Sequence, residues 1–186
     1  LYITNSINES FSFNQTANFS GDGDSSNWTL ELEEGNYTWN CLVYGTEGDF
    51  DWASNKSIIF DISDPIITIT SLINTTNTTN TGLNINYTVV EPNNDSCWYS
   101  NDSMLENISL SPCGTNITTI TWSEGQHNVT IWANDTLGNV GSQSVTFRID
   151  LTPPVFTVIA NQTITDNEAL GYDIDATDVV AVDCFI

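Results

Sequence analysis

The chain is 186 residues long, with 24 acidic side chains against 2 basic ones and a formal net charge of −22. Nucleic acid and anionic membrane are excluded as partners, because phosphate needs Lys and Arg to hold it. A hydrophobic share of 39% is modest, yet 11% aromatic supplies two small cores, and the length suits one large domain or two small ones. No apolar run reaches the ~20 residues of a membrane span, and no signal peptide is expected within these residues. It begins at Leu1 without Met and ends inside the apolar run Cys184, Phe185, Ile186. It is therefore expected to be a piece of something longer, with any anchor outside it.

Helix signals are nearly absent. Short runs rich in Val, Ile, Thr, Tyr and Trp alternate with Gly, Asn, Asp and Ser clusters, the pattern of an all-β protein. Taken in chain order, strands are predicted over 37–43, 57–62, 66–69, 83–90, from Cys97 onward, and over 128–133, 144–149 and 155–159. In 128–133, Val129, Ile131 and Ala133 are read as alternating with His127, Thr130 and Trp132, so one face is expected to be buried and the other wet. His127, at the start of that strand, is expected at the surface. Strands at roughly ten-residue spacing suggest a sandwich.

The chain repeats itself with a period just under 90 residues. Glu34-Gly35 recurs as Glu124-Gly125, and Asp61 through Pro65 recurs as Asp150 through Pro154. The Asn27 sequon recurs at Asn116, and Tyr87 precedes Cys97 by ten residues as Ile174 precedes Cys184. Residues 65–153 are then one complete unit, with Pro65 and Pro153-Pro154 as stiff junctions. Residues 1–64 match only its last two thirds, and 154–186 only its first strands. Joining Ile186 to Leu1 of another copy keeps register: the Asn8 sequon then lies ten residues after Cys184, as Asn107 lies ten after Cys97, and each precedes an apolar residue, Phe11 or Leu110. The expectation is one period of an array, cut in the middle of a sandwich, whose partners are further copies of itself joined end to end.

Asn-x-Ser/Thr tripeptides stand at Asn8, Asn14, Asn18, Asn27, Asn36, Asn55, Asn74, Asn77, Asn86, Asn94, Asn101, Asn107, Asn116, Asn128, Asn134 and Asn161, taking 16 of the 23 asparagines. The share of Ser and Thr in the chain would produce roughly 5 by chance. A threefold excess argues that the tripeptide itself is used, as sites for covalent N-linked glycans, which places the chain extracellularly or at a cell surface. Asn74 and Asn77 lie close enough for their sugars to compete.

Cys97 through Ser100, Cys113, the run from Glu124 to Asn139 and the run from Phe147 to Pro154 resemble the Ig-like tandem repeats of archaeal and bacterial surface glycoproteins. Gly35 through Val43, with Trp52 and Ile59 through Ile62, resembles a second variant of the same family. The resemblance implies tandem immunoglobulin-like β-sandwiches, one complete and one split across the chain ends, in an extracellular filament or surface layer. Four cysteines allow three pairings. Cys97 and Cys113 form the only pair local to one repeat. Cys184 and Cys41 would then pair, since the third and sixth strands of Ig-like sandwiches are sheet neighbours. In a sandwich completed across copies that bridge joins successive copies.

Catalysis has little to stand on: one His, one Lys and one Arg give no arrangement of nucleophile and base, and no enzyme is expected. Zinc is disfavoured by the cysteine spacing. Calcium is the more serious metal, with Asp22, Asp24, Asp49, Asp51, Asp61 and Asp64 in polar turns, but no stretch has the spacing of a twelve-residue EF-hand loop. Solvated acidic turns are the favoured reading, with no cofactor. The function expected is a structural, glycosylated repeat. The alternatives are an adhesin or carbohydrate-binding module, or the spacer of a larger enzyme. Trp28, Tyr37 and Tyr87 sit inside sequons, where a sugar would obstruct an adhesive contact.

Overall fold

The computed structural model describes residues 1–4, 11–19, 23–158, 160–167, 169, 171 and 175–178. Every regular element among them is a strand, so the all-β expectation is borne out. No helix is long and apolar enough to cross a membrane among the described residues. The chain forms two compact units, Leu1–Ser63 and Asp64–Ile186.

In the first unit, β1 (Tyr2–Thr4), β2 (Phe11–Phe13), β3 (Gly35–Asn40), β4 (Leu42–Tyr44), β5 (Phe50–Trp52) and β6 (Lys56–Phe60) make two sheets. The larger has the order β2-β1-β3-β6, and β4 pairs with β5. The strand expected over 37–43 is interrupted at Cys41. There the Asn40 Oδ1 accepts the Cys41 N–H at 2.7 Å, while Asn40 Nδ2 donates to Asn55 Oδ1 at 2.7 Å. A side chain that satisfies a ladder donor competes with the ladder itself.

The second unit holds β7 (Ile66–Ile69), β8 (Thr76–Asn77), β9 (Tyr87–Val90), β10 (Asn94–Asn101), β11 (Ile108–Leu110), β12 (Gly125–Asp135) and β13 (Val140–Ile149), followed by β14 (Val155–Phe156) and β15 (Ala176–Thr177). One sheet has the order β11-β10-β12-β13-β8, with β8 parallel to β13; the other pairs β7 with β9. The chain ahead of β9 extends that second sheet through an isolated bridge, in which Ile85 and Ile117 exchange backbone hydrogen bonds of 3.0 Å. Side chains of one parity from each strand meet in a single core: Ile67, Ile69, Ile85 and Tyr87 from one sheet, Cys97, Tyr99, Val129, Ile131, Val145, Phe147 and Ile149 from the other. Alternation at period two puts these inward and their neighbours outward. Gly141 belongs to this close fit. A Cβ there would stand 1.8 Å from the Pro65 carbonyl oxygen, so only glycine allows that approach.

The Cys97–Cys113 disulfide forms, with Cα atoms 5.3 Å apart. It ties β10 to the segment after β11 and constrains the unfolded chain by about 3 kcal/mol for a loop of this length. Cys97 lies in the middle of β10 rather than at its start.

The period seen in the sequence has a physical counterpart. In the first unit Gly35 stands opposite Phe60; in the second Gly125 stands opposite Ile149. Both glycines have positive φ, 153° and 120°, a conformation that opens the strand after the Glu-Gly pair. Glu34 accepts the Ile62 N–H at 2.8 Å and the Ser63 hydroxyl; Glu124 accepts the Leu151 N–H at 2.9 Å and the Thr152 hydroxyl at 3.1 Å. Asp61 and Asp150 each accept the N–H two residues on, at 3.1 Å. Farther along, Ile66 faces Val90 and Val155 faces Thr177. The alignment of Tyr87 with Ile174 carries the first pair onto the second.

One register differs. Phe11 stands opposite Thr4 in the β1–β2 pair, whereas the matching Leu110 stands opposite Cys97. The residue that Phe11 would face by analogy is Cys184, which lies outside the described residues.

Candidate functional site

The sequons are the densest candidate feature, and their placement is selective. Asn14, Asn18, Asn27, Asn36, Asn55, Asn74, Asn86, Asn107, Asn116, Asn128 and Asn161 are exposed; Asn77, Asn94, Asn101 and Asn134 are half-buried. None of these fifteen is buried, whereas Asn40, which heads no sequon, is. Asn8 lies outside the described residues. Most of the fifteen stand in turns or on outward strand positions, where an attached sugar would meet water. Asn134 is the most engaged: its Oδ1 accepts the Ser96 N–H at 3.2 Å, and its Nδ2 donates to Asp95 Oδ2 at 3.2 Å and to the Asp135 carbonyl at 3.1 Å. Asn77 sits at the sheet edge, its Nδ2 donating to Thr75 Oγ1 at 3.0 Å.

The aromatic residues inside sequons do not form a display. Tyr37 and Tyr87 are buried, and Trp28 is half-buried with its indole nitrogen enclosed. The Tyr87 hydroxyl accepts the Gly114 N–H at 3.1 Å. Burial raises its pKa, partly offset by that hydrogen bond.

His127 is buried, contrary to the surface position expected for it. It shares the parity of Val129 and Ile131, so β12 turns it inward against the rings of Trp122 and Phe147. Its polarity is accommodated by two acceptors: Asp102 Oδ2 lies 2.8 Å from Nδ1 and the Ser123 carbonyl 2.8 Å from Nε2. With both ring nitrogens engaged, neither is offered to a substrate. The first unit repeats the device, since the Tyr37 hydroxyl donates to the Glu33 carbonyl at 2.7 Å, also four residues back. The ring therefore anchors the start of a strand in both units.

Asp135 also departs from the expectation that acidic residues sit in solvated turns. It is buried at the end of β12, and its carboxylate accepts the N–H groups of Leu137, Gly138 and Asn139 at 2.7–2.9 Å and the Asn139 Nδ2 at 2.7 Å. Burial works to raise its pKa, but these hydrogen bonds outweigh it and hold the carboxyl below its ordinary range. The signal was present in the Asn134-Asp135-Thr136-Leu137-Gly138 run, a side chain placed to close its own turn.

Among the calcium candidates, Asp51 Oδ1 accepts the Trp52 N–H at 2.9 Å and Asp61 Oδ1 the Ser63 N–H at 3.1 Å, so each serves its own turn. Asp22 lies outside the described residues. Cys41 is half-buried and makes no disulfide among the described residues. Its expected partner, Cys184, lies outside them.

No family model and no curated protein matches the chain. Thirteen solved chains do. One holds the fibronectin(III)-like modules of Clostridium thermocellum CbhA, at 15% identity and a TM-score of 0.35, over 62% of this chain and 63% of that one. The present chain thus spans less than two thirds of that relative.

The remaining surface feature is apolar. In the complete core, Ile67 and Ile69 are each 7% exposed, Phe147 1% and Ile149 0%. The residues that match them by the repeat are Phe156, Val158, Ile58 and Phe60, and these are 57%, 93%, 44% and 38% exposed. These four positions are thus buried in the core that β7, β9, β12 and β13 build together and open at their matches, while Tyr37, the match of His127, is buried in the first unit as well.

Proposed function

We propose that this chain is a structural, heavily N-glycosylated repeat of an extracellular filament or cell-surface array, and that copies of it join end to end. The β14–β15 strands of one copy supply the first strands of the sandwich whose remainder is the first unit of the next. The observation that carries this reading is the complementary exposure of Phe156 and Val158 on one side and Ile58 and Phe60 on the other. Exposed apolar faces and open sheet edges in water are a liability unless a partner covers them, and an added strand brings its own backbone hydrogen bonds.

The sequons support the same reading. Sugar on outward faces leaves the open apolar face as the place where chains meet, and like charge keeps unglycosylated surfaces apart. A bridge between Cys184 of one copy and Cys41 of the next would make the joint covalent. In the complete unit the equivalent positions, Cys97 and Ile131, share the inner face of neighbouring strands but are offset, with Cys97 opposite Ala133. Such a bridge requires the ladder to shift, and the ladder of the first unit is interrupted at Cys41. The chain is proposed to be neither an enzyme nor a metal protein.

Imaging of the native material, with intact mass before and after glycan removal, tests this. Filaments or arrays with sugar at most of the sixteen sequons are expected. Dispersed particles with fewer than half the sequons modified would contradict the reading. Non-reducing gels separate two forms of it: a ladder that collapses on reduction means linked subunits, and persistent high mass means a continuous polyprotein.

A further inference from the structure

The five-stranded sheet has an outer face as well as a core. Trp98 and Trp132 stand opposite each other on β10 and β12, on the parity that points away from Cys97 and Ile131. Their indoles are nearly parallel, at 8°, with centroids 6.3 Å apart. Both are half-buried, and their neighbours across the ladder are Ser109 and Ser142. Two adjacent tryptophans ringed by small polar residues make an apolar patch with polar borders.

Asn134 stands two residues beyond Trp132 on the same strand. It therefore lies on the same face, about 7 Å along the strand. Its carboxamide is already oriented, held at Oδ1 by the Ser96 N–H and hydroxyl and at Nδ2 by Asp95 and the Asp135 carbonyl. Glycosylation replaces one of the two Nδ2 hydrogens, leaving one donor and both Oδ1 contacts. The first sugar then starts from a fixed point one ring-width from Trp132. The C–H face of a pyranose is apolar and faintly positive, and the face of an indole is electron-rich, so the two attract as other ring contacts do.

We propose that the outer face of this sheet binds carbohydrate, and that its occupant is the chain's own N-glycan on Asn134, whose first sugars lie across Trp132 and Trp98. The proposal rests on the N-glycosylation reading above. A tethered sugar has an effective concentration in the millimolar range, and a second sequon on the same face, Asn128, four residues before Trp132, flanks the patch against outside ligands. The glycan at this site is thereby a structural part of the sheet rather than a free chain in solvent.

The test uses the glycosylated full chain. Thr136→Ala removes the sequon and leaves the Asn134 contacts in place; Trp132→Thr removes the patch. Thermal unfolding is measured for the native chain, each variant and the double variant. Thr136→Ala is expected to lower the midpoint by about 5 °C in the native background and by less than about 1 °C when Trp132 is already absent. Nuclear Overhauser contacts between sugar ring protons and the Trp132 indole are expected in the native glycoprotein, a readout that needs no variant to fold. An equal loss in both backgrounds, or a sugar on Asn134 without indole contacts, would overturn the proposal. So would an unmodified Asn134 beside other filled sequons, which leaves the glycoprotein reading intact. An absence of sugar from every sequon would overturn that reading as well.

Discussion

The two units carry the same strand pair, opened by the same Glu-Gly turn and closed by the same carboxylate clamp, yet the apolar face of the closing strand is buried in one and open in the other. Ile58 and Phe147 occupy matching positions in matching registers, but only Phe147 is packed among the side chains of β7 and β9, while Ile58 is exposed. The difference teaches that strand pairing and turn chemistry are local properties, set by residues within one hairpin, whereas a core needs both layers. A segment can hold the right register and still present its apolar face to water.

That contrast can be broken most severely at the core itself. Phe147→Ala should cost about 3–5 kcal/mol in the complete unit, by lost burial and the cavity left behind. Ile58→Ala, its match, should cost under about 0.5 kcal/mol in the lone chain, as for other exposed positions. Urea unfolding followed separately for the two units measures both. Comparable costs would mean that the first unit already has a core of its own.

Next in size is the disulfide. Cys113→Ser should destabilise the complete unit by about 3 kcal/mol and leave unfolding of the first unit unchanged. Peptide mapping that instead paired Cys97 with Cys41 would remove the basis of the strand alignment. Gly141→Ala should follow at about 1–3 kcal/mol, as an overpacked contact that β13 and the Pro65 carbonyl must open to admit.

How much of this was legible beforehand depended on whether a residue acts within its hairpin. Glu34, Glu124, Asp61 and Asp150 could be read as a repeat because each binds backbone close to a turn, so the pattern survives in the sequence. His127 was misplaced because its side chain is polar, although its parity with Val129 and Ile131 pointed inward. Asp135 was missed for the same reason: a carboxylate suggests solvent, and only its spacing from Gly138 shows that it serves a turn. The two-residue strand β8 is too short to leave a pattern, and it exists because β13 offers it an edge. The sequons were legible as a count, but the avoidance of buried positions by the fifteen described ones became visible only with the fold.

The smallest expected effect is a pH dependence. The Asp135 carboxyl has a lowered pKa in the folded chain, so its contribution is present above the unfolded value, about 3.9, and is lost as pH falls through the folded value. Asp135→Asn should reduce stability at neutral pH and flatten the acid limb of the stability profile below about pH 4. A variant profile parallel to that of the native chain would show that the turn does not depend on the charge.

The central claim is that copies complete each other's open sheets, and the most direct measurement is mass in solution. Light scattering on the deglycosylated 186-residue chain, compared with Phe156→Asp, isolates one exposed side chain from the core of the complete unit. The account predicts multiples of 20.5 kDa for the native chain, rising with concentration, and a single 20.5 kDa particle for the variant. A native chain that stays at 20.5 kDa at every concentration, with Ile58 and Phe60 protected from solvent, would contradict it.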